Sequence, residues 1–286
     1  MKSKIKYFYN LFVDEIVLHE GYSILSSAGH VYILKQVYDF DSNLAEINDY
    51  IEIILNKFGE IITEIDGYDY ILMKIRSNQK NLFDNFDIRI SPIENNSITS
   101  KLWIEKVEYL KKQLVNFGKD KRILIQSFNY YCGLAENAIS IMIKCEKKNS
   151  NKKNFLCHKR MYYPNNTINY YDPTNYIIDY KSRDIAEYLK SCFIKNKILH
   201  IEELKKVIKN FRLSPDDMEV LYARMLFPTY YFDLFEQMIL SNKSFEEKLV
   251  KEVIEKAEEY RLILKILHNE YFDKTQSNFY IEWINK

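Results

Sequence analysis

The hydrophobic period changes along this chain, and that change constrains the fold more than any other feature. Between Glu15 and Gln36, β-branched and aromatic residues predict two or three strands with a turn at Ser26–His30 (SSAGH). Tyr68–Ser77 (YDYILMKIRS) predicts a further strand. From about residue 99 onward, apolar residues recur at helical spacing. A chain that separates strands from helices in this way is typical of an α+β protein.

One helix is predicted inside the strand-rich part. Asn43 and Glu46 have the spacing of a capping box, and Gly59 is placed as a helix stop. Between them, apolar residues recur at helical spacing: Leu44, Ile47, Ile51, Ile54, Leu55 and Phe58. We therefore expect residues 1–78 to form a small N-terminal lobe with a hairpin, a helix and another strand.

Residues 79–286 are predicted to form a larger, mainly helical lobe. Two short strands interrupt it, at Phe155–His158 (FLCH) and Tyr176–Asp179 (YIID), with a turn signal at Asp172–Asn175 before the second. Pro228 should kink or stop the helix that begins after Ser214. The predicted helices are a first one closed by Gly118, then Arg122–Lys144, 183–195, 201–211, one from about 215, and 244–270.

The composition excludes several classes of protein. With 6 Gly and 5 Pro in 286 residues, the chain is neither fibrous nor linker-like, and 24 Tyr and 17 Phe supply ample core. A net charge of +1 does not favour nucleic acid as a partner. No stretch is long and apolar enough to span a membrane, and the four cysteines lack C-x-x-C spacing. We expect a soluble protein made in the cytoplasm.

Residues 156–180 carry the side chains that could perform chemistry. Protein-kinase-like phosphotransferases place a His-x-Asp-x-x-x-x-Asn loop between two short strands, and a metal-binding Asp at the end of the second strand. At matching positions this chain has His158, Asn165 and Asp179, but Arg160 stands where the catalytic base is expected. An arginine stays protonated at physiological pH and cannot accept the substrate proton.

A second kinase-like element lies at Val31–Lys35 (VYILK). It has the form of the strand whose lysine pairs with the α- and β-phosphates of ATP. Lys35 is therefore a candidate nucleotide-binding residue, with Glu46 or Glu52 as its carboxylate partner. The preceding loop holds one glycine, Gly29, where a hairpin that covers phosphates would hold two or three.

Four sequence blocks of the larger lobe can be compared with known families. They are Tyr131–Ile139 (YCGLAENAI), Cys157–Met161 (CHKRM), Asp172–Lys190 (DPTNYIIDYKSRDIAEYLK) and Leu221–Asp233 (LYARMLFPTYYFD). In this order they resemble the YutH branch of the bacterial spore-coat kinase-like proteins. That branch is related to the CotS coat proteins and, more distantly, to the aminoglycoside and choline phosphotransferases. The resemblance is strong over roughly residues 120–240 and looser in the N-terminal lobe.

The resemblance implies a bilobal protein-kinase-like fold, synthesis in the mother cell during sporulation and association with the spore coat. Other coat proteins are the implied partners, and ATP and Mg²⁺ the implied cofactors if nucleotide binding is retained. Members of this branch commonly lack the loop aspartate, so Arg160 looks like a property of the branch.

Two of the candidate metal ligands also have structural interpretations. The carboxylate of Asp179 could be neutralised by Lys35 or Lys181 instead of a metal ion. Asn165 lies in an Asn-Asn pair after Pro164, a composition that is equally natural for a plain turn.

Four further residues are interpreted as architecture. His158 is predicted to anchor the loop. Arg183 and Asp184 begin the following helix, where Asp184 is predicted to cap the helix and brace the loop. Arg224 is predicted to form a buried ion pair with an Asp or Glu, with Glu136 and Asn137 as candidate partners.

Arg224 also has a functional interpretation. Together with Tyr230, Tyr231 and Asp233, it could line the cleft in which related kinases bind the acceptor, or form a docking surface.

We therefore expect a catalytically degenerate kinase-like protein of the spore coat, with no assigned catalytic residue. The main alternative is an active ATP-dependent phosphotransferase with an atypical catalytic loop, because phosphoryl transfer depends largely on positioning and electrostatics. Nucleotide binding without turnover and a purely structural assembly subunit are two further alternatives. The sequence predicts neither an acceptor substrate nor an oligomeric state.

Overall fold

The computed structural model divides the chain into two compact units. One contains Met1–Asp87 and Pro164–Ile177, and the other Ile88–Tyr163 and Ile178–Lys286. The structure describes residues 1–19, 22–38, 40–44, 50–76, 89–90, 98–118, 120–148, 155–161, 170–195, 202, 205, 208–209, 213–240, 244–272 and 281–285.

The first unit is built on an antiparallel six-stranded sheet. Its strand order is β1-β2-β3-β6-β4, and β5 also pairs with β6. A short helix that the sequence patterns did not predict, α1 (Lys2–Tyr9), precedes the sheet. The strands are β1 (Glu15–His19), β2 (Tyr22–Ser27), β3 (His30–Gln36), β4 (Ile51–Ile54), β5 (Thr63–Ile65) and β6 (Tyr68–Ile75).

The predicted turn between Ser26 and His30 is confirmed as a tight hairpin. Its two central residues, Ala28 and Gly29, have φ angles of 47° and 76°. Positive φ at both positions is the geometry that matches the right-handed twist of the flanking strands. Gly29 therefore serves the turn itself.

The helix predicted up to Phe58 is wrong over its second half. Ile51–Ile54 forms β4 and pairs with β6, because a run of β-branched side chains fits a pleated sheet better than a helix. Asn56 then organises a turn, its side-chain oxygen accepting from the N–H groups of Phe58 (2.9 Å) and Glu60 (3.0 Å). Gly59, with φ 81°, belongs to this turn. Residues 45–49, including Glu46, lie outside the described residues.

Both faces of the sheet carry buried apolar side chains. On one face, Ile5 of α1 packs against an apolar group from β2, β3 and β6, made of Leu25, Tyr32, Leu34 and Leu72. On the other face, Ile33, Ile71 and Met73 are buried. The alternation along β3 therefore leaves Lys35 on the same face as Ile33.

The second unit contains the helices and most of a small sheet, whose last strand begins with two residues assigned to the first unit. The sheet has the order β7-β8-β9, from strands β7 (Arg89–Ile90), β8 (Phe155–His158) and β9 (Tyr176–Asp179), so both short strands predicted around the loop are confirmed. The helices are α2 (Thr99–Phe117), α3 (Arg122–Lys148), α4 (Ser182–Ile194), α5 (Pro215–Leu226), α6 (Thr229–Leu240), α7 (Ser244–Glu255), α8 (Ala257–Tyr271) and α9 (Glu282–Asn285).

The helix boundaries follow local sequence signals. Ser214 and Asp217 form a capping box at the start of α5, with Pro215 at the first helical position. Pro228 separates α5 from α6, as predicted. The long helix expected at 244–270 is instead divided at Lys256 into α7 and α8. Most of the predicted helix 201–211 lies outside the described residues.

The core of the second unit is rich in stacked aromatic rings. Trp103 of α2 stacks on Phe227 with ring centroids 4.3 Å apart. Tyr131 of α3 stacks on Tyr231 of α6 at 3.8 Å, and the Tyr231 hydroxyl lies 2.6 Å from that of Ser127. These contacts join α2 to the residue that follows α5, and α3 to α6. None of the described helices has the length and apolarity that a membrane span requires.

Candidate functional site

The strand β8 ends at His158, which is anchored to the helix α4. Its backbone N–H donates to one carboxylate oxygen of Asp184 at 2.7 Å, and its ring Nδ1 lies 2.7 Å from the other. The side chain of His158 is 2 % exposed. These contacts are the ones that the predicted roles of His158 as an anchor and Asp184 as a brace require. The predicted capping role of Asp184 is not seen, since it lies inside the first turn of α4 and makes no capping hydrogen bond there.

Asp179, at the end of β9, is held by two arginines. Arg183 of α4 donates to its Oδ2 at 2.7 Å, and Arg224 of α5 forms an ion pair with Oδ1. The backbone N–H of Tyr180 also donates to Oδ1, at 2.7 Å. Asp179 and Arg224 are 4 % and 3 % exposed. The acidic partner expected for Arg224 is thus Asp179. Asp179 is neutralised by Arg183 and Arg224, and not by the expected Lys35 or Lys181.

Arg183 ties this ion pair to the loop that follows β8. Its Nε donates to the carbonyl of His158 at 2.7 Å, and its NH2 group donates to the carbonyl of Lys159 at 3.1 Å. One guanidinium therefore contacts both the loop backbone and the strand-end carboxylate. The planar fork of donors on arginine suits such a role.

Arg160, at the position expected for a catalytic base, forms a two-point ion pair with Asp233 of α6. Its Nε and NH2 groups donate to the two carboxylate oxygens of Asp233 at 2.6 and 2.7 Å. The two side chains are 30 % and 34 % exposed. A bidentate Arg–carboxylate pair fixes the orientation of both groups. Residue 160 itself therefore supplies no group that could accept a proton.

A buried ion pair lies one turn further along α4. Glu187 contacts Lys190 at 2.7 Å, and their side chains are 7 % and 3 % exposed. Burial acts to raise the pKa of Glu187, but the positive charges of Lys190, Arg160 and Arg183 outweigh it and lower the pKa to about 2. Burial lowers the pKa of Lys190 to about 8, against the attraction of Glu187. Lys190 is further held by the hydroxyl of Thr229 at 2.7 Å.

The arrangement around Asp179 does not suit a magnesium ion. Mg²⁺ requires near-octahedral oxygen ligands, whereas both oxygens of this carboxylate already accept from guanidinium groups. A divalent ion would have to displace these cations and sit beside their charge. Among the described residues, no group of three or more His, Cys, Asp or Glu side chains is arranged to hold a metal. Asn165, the other candidate ligand, lies outside the described residues.

In the first unit, Lys35 forms an ion pair with Asp172. Asp172 also accepts from the N–H (2.9 Å) and the hydroxyl (2.6 Å) of Thr174, and its side chain is 9 % exposed. Next to it, the ring of Tyr171 stacks on Tyr50 with centroids 3.9 Å apart. Within the first unit, Tyr171 and Asp172 are thus held to Tyr50 and Lys35 by a ring stack and an ion pair.

Glu52 does not lie in a helix beside Lys35, as the sequence suggested. It lies in β4 and not in a helix, and its carboxylate accepts from Nε of Arg76 at 3.2 Å. That hydrogen bond is the main cause of a lowered pKa for Glu52. The predicted pairing of Glu52 with Lys35 is therefore replaced by the pair Lys35–Asp172.

The structure brings together five of the predicted site residues in the second unit: His158, Arg160, Asp179, Asp184 and Arg224. Sequence reasoning singled out Arg183 and Asp233 but did not identify them as the partners of Asp179 and Arg160. It missed Asp172 as the partner of Lys35, and the pair Glu187–Lys190. The signal for Arg183 was present, because it lies four residues after Asp179. The proposed partners of Arg224 were wrong: Glu136 lies 3.6 Å from Lys111, and Asn137 donates to the carbonyl of Gly133 at 2.7 Å.

Known proteins similar to this chain include a coat protein and several phosphotransferases. The endospore coat-associated protein YutH of Bacillus subtilis (strain 168) is 28% identical over 256 residues, covering 76% of this chain and 74% of the relative. An aminoglycoside phosphotransferase of Alicyclobacillus acidocaldarius superposes with a TM-score of 0.57 at 11% identity, covering 92% and 94% of the two chains. A spectinomycin phosphotransferase crystallised with ADP and spectinomycin gives 0.57 at 14% identity, covering 93% and 96%.

These structural likenesses establish the fold, which is the kinase-like fold of the aminoglycoside phosphotransferases. At such low identity they establish nothing about activity. The family described as "Spore coat putative kinase YutH" matches residues 2–267. Since that match covers most of the chain, the chain belongs to the YutH family of spore-coat proteins with a kinase-like fold.

Proposed function

We propose that this chain is a catalytically degenerate member of its family, which keeps the kinase-like fold without transferring phosphate and acts in the spore coat by binding other coat proteins. The observation that carries the proposal is the state of Asp179. Both oxygens of this strand-end carboxylate, which would bind metal in an active enzyme, are engaged by Arg183 and Arg224. Phosphoryl transfer relies on metal ions that neutralise the developing charge.

The pair Arg160–Asp233 supports the same conclusion. In place of a carboxylate that could accept the proton of a hydroxyl substrate, residue 160 is a guanidinium, which stays protonated. Its two hydrogen bonds to Asp233 give it a structural partner in α6. The side chain therefore has a role in packing that does not require a substrate.

The ion pair of Lys35 with Asp172 is a third supporting observation. A lysine that anchors ATP phosphates needs its ammonium available to the nucleotide. Here the ammonium is matched with a carboxylate of the same unit, which a polyanionic nucleotide would have to displace.

Association with the coat is supported by the family and by the Bacillus subtilis relative, whose name describes an endospore coat-associated protein. A fluorescent fusion of this chain, expressed during sporulation, should concentrate at the spore periphery. Fluorescence that remains spread through the mother-cell cytoplasm would argue against a coat role.

Two measurements with Mg-ATP test whether catalysis has been lost: thermal unfolding reports nucleotide binding, and ADP release reports turnover. A ligand that binds only the folded state at 100 times its Kd stabilises it by about 2.7 kcal/mol, so binding would raise the Tm clearly. We expect no saturable rise at millimolar Mg-ATP and no release of ADP above a protein-free control.

Two variants make a positive result interpretable. If Mg-ATP raises the Tm and Lys35→Met abolishes that rise while circular dichroism shows an intact fold, the chain still binds nucleotide. If ADP is also released, and Asp179→Asn stops the release in a folded protein, the chain is an active phosphotransferase and the proposal is wrong.

A further inference from the structure

The strand β1 forms one edge of the sheet in the first unit. Among the described residues it pairs only with β2, in an antiparallel register that places Val17 opposite Ile24. An edge strand carries a row of backbone N–H and C=O groups on its outer side. These groups can pair with a strand from another chain.

This edge lacks several of the features that usually prevent such pairing. Natural edge strands are protected by short length, charged side chains (especially lysine), proline, bulges or inward-pointing charges. β1, with the sequence EIVLH, has no lysine or proline, points its one acidic side chain, Glu15, outward, and pairs with β2 without a break in register. Val17 is 44 % exposed and Leu18 is 78 % exposed, so apolar surface accompanies the open edge.

The sequence of β1 is complementary to itself. If two copies pair in antiparallel orientation about Val17, Glu15 of each copy stands opposite His19 of the other, and Ile16 stands opposite Leu18. A carboxylate accepts a hydrogen bond from an imidazole, and a protonated imidazole adds charge attraction. Apolar residues would face apolar residues at the remaining positions. Directly opposite pairs of both kinds stabilise a sheet.

We propose that β1 is a homotypic docking strand, which joins two copies of this chain through an antiparallel β1–β1 pair with a two-fold axis at Val17. The same patch serves both copies, as closed two-fold symmetry requires. The two sheets become one continuous sheet across the contact. Since a five-residue strand buries little area, the dimer is weak and forms at high local concentration.

Disulfide cross-linking tests this register directly. All four native cysteines are buried, and burial raises the pKa of Cys132 and Cys145 to about 12. An introduced exposed thiol should therefore be oxidised much faster than the native ones. In the proposed dimer, Val17→Cys places two Cβ atoms at ~4.5–5.5 Å, near the distance of a disulfide. Oxidation with diamide should then give a covalent dimer on a non-reducing gel.

The matched control is Tyr38→Cys, in the same unit. Tyr38 is 88 % exposed, which is more than Val17, so random collision would cross-link it faster. We expect Val17→Cys to form dimer several-fold faster than Tyr38→Cys. Equal or slower formation for Val17→Cys would overturn the proposal.

A mixing experiment tests the pairing of unlike residues. Glu15→Cys and His19→Cys, one of them carrying a mass tag, should form mainly the mixed dimer, because these positions face each other only between copies. Predominance of the two unmixed dimers would overturn the antiparallel register.

Sedimentation equilibrium of the unmodified chain provides a measurement without cross-links. At high concentration it should show a monomer–dimer equilibrium, which Val17→Lys combined with Leu18→Lys shifts to monomer while circular dichroism stays unchanged. A dimer that survives in this folded variant, or a wild type that stays monomeric throughout, would refute the docking strand.

Discussion

Among the described residues, the most deeply buried ion pairs lie in the helical unit, which also carries more exposed pairs such as Arg160–Asp233. In the helical unit, Asp179–Arg224 and Glu187–Lys190 have side chains that are 7 % exposed or less. In the sheet unit, Lys35 is 29 % exposed beside Asp172, and Arg76–Glu52 is 52 % and 38 % exposed. Breaking a buried pair by removing one partner costs about 3–5 kcal/mol, whereas an exposed pair contributes about 0–1 kcal/mol.

The buried carboxylate of Asp179 shows what these buried pairs hold together. In an active phosphotransferase, the carboxylate at this strand end holds a metal ion. In the helical unit that carboxylate is instead bound to arginines of two different helices. Its charge now connects β9 to α4 and α5. The predictions below test whether the stabilising charges really are concentrated in the helical unit.

The largest effect is expected from Arg224→Met. This change leaves Asp179 buried with Arg183 as its remaining cation, and methionine preserves much of the apolar volume. We expect the free energy of unfolding to fall by about 3 kcal/mol, measured by urea denaturation followed by circular dichroism. The control Arg76→Met, in the exposed pair of the sheet unit, should cost less than about 1 kcal/mol.

A double variant checks the electrostatic origin of that effect. Arg224→Met combined with Asp179→Asn removes the unpaired charge as well as its partner. It should be less destabilised than the sum of the two single variants predicts. Simple additivity would indicate that Arg224 acts through packing alone.

The next effect concerns acid stability and Glu187. Its folded pKa of about 2 lies below the ordinary value of 4.5, so the folded state holds this proton less tightly than the unfolded state. The stabilisation is therefore complete above about pH 4.5 and is lost as the pH falls toward 2. Glu187→Gln should be less stable at pH 7 and should show a shallower loss of stability between pH 5 and 3.

Urea midpoints across that pH range measure the effect. Glu52→Gln is the matched control in the sheet unit, because the side chains of Glu52 and its partner Arg76 are 38 % and 52 % exposed. The pKa of Glu52 is also lowered, but solvent screens this pair, so the variant should flatten the pH profile much less than Glu187→Gln. If the two variants flatten the pH profile equally, the contrast in burial does not govern acid stability.

The smallest effect is expected from Lys35→Met. The lysine is partly exposed, and Asp172 keeps its two hydrogen bonds from Thr174. We expect a loss of about 1 kcal/mol or less in the free energy of unfolding. A loss as large as that of Arg224→Met would show that the sheet unit also depends on a critical ion pair.

Local signals in the sequence predicted many elements well. The strands FLCH and YIID, the turn at Ser26–His30 and the helix start at Ser214 each depend on neighbouring residues, and the structure confirms them. The helix across Ile51–Ile54 failed because helical spacing and a run of β-branched residues coincide there. Pairing with β6, which no local pattern reveals, decided between them.

The partners of the site residues were harder to predict than the residues themselves. Arg160 and Asp233 are 73 residues apart in sequence, and Lys35 and Asp172 are 137 apart. A single sequence contains no signal that joins such distant charges. The sequence predicted that Arg224 pairs with a buried Asp or Glu, because an arginine among core residues requires a carboxylate partner, and the structure has such a pair. Only the fold could identify Asp179 as that partner.

The stack of Trp103 on Phe227 has a practical consequence for measuring this protein. The chain has two tryptophans, Trp103 and Trp283, and both lie in the helical unit. Trp103 is 8 % exposed, and the guanidinium of Arg224 lies over its ring at 5.7 Å. Tryptophan emission therefore reports on the helical unit alone. Its red shift on unfolding measures the unfolding of that unit separately from the sheet unit, which contains no tryptophan.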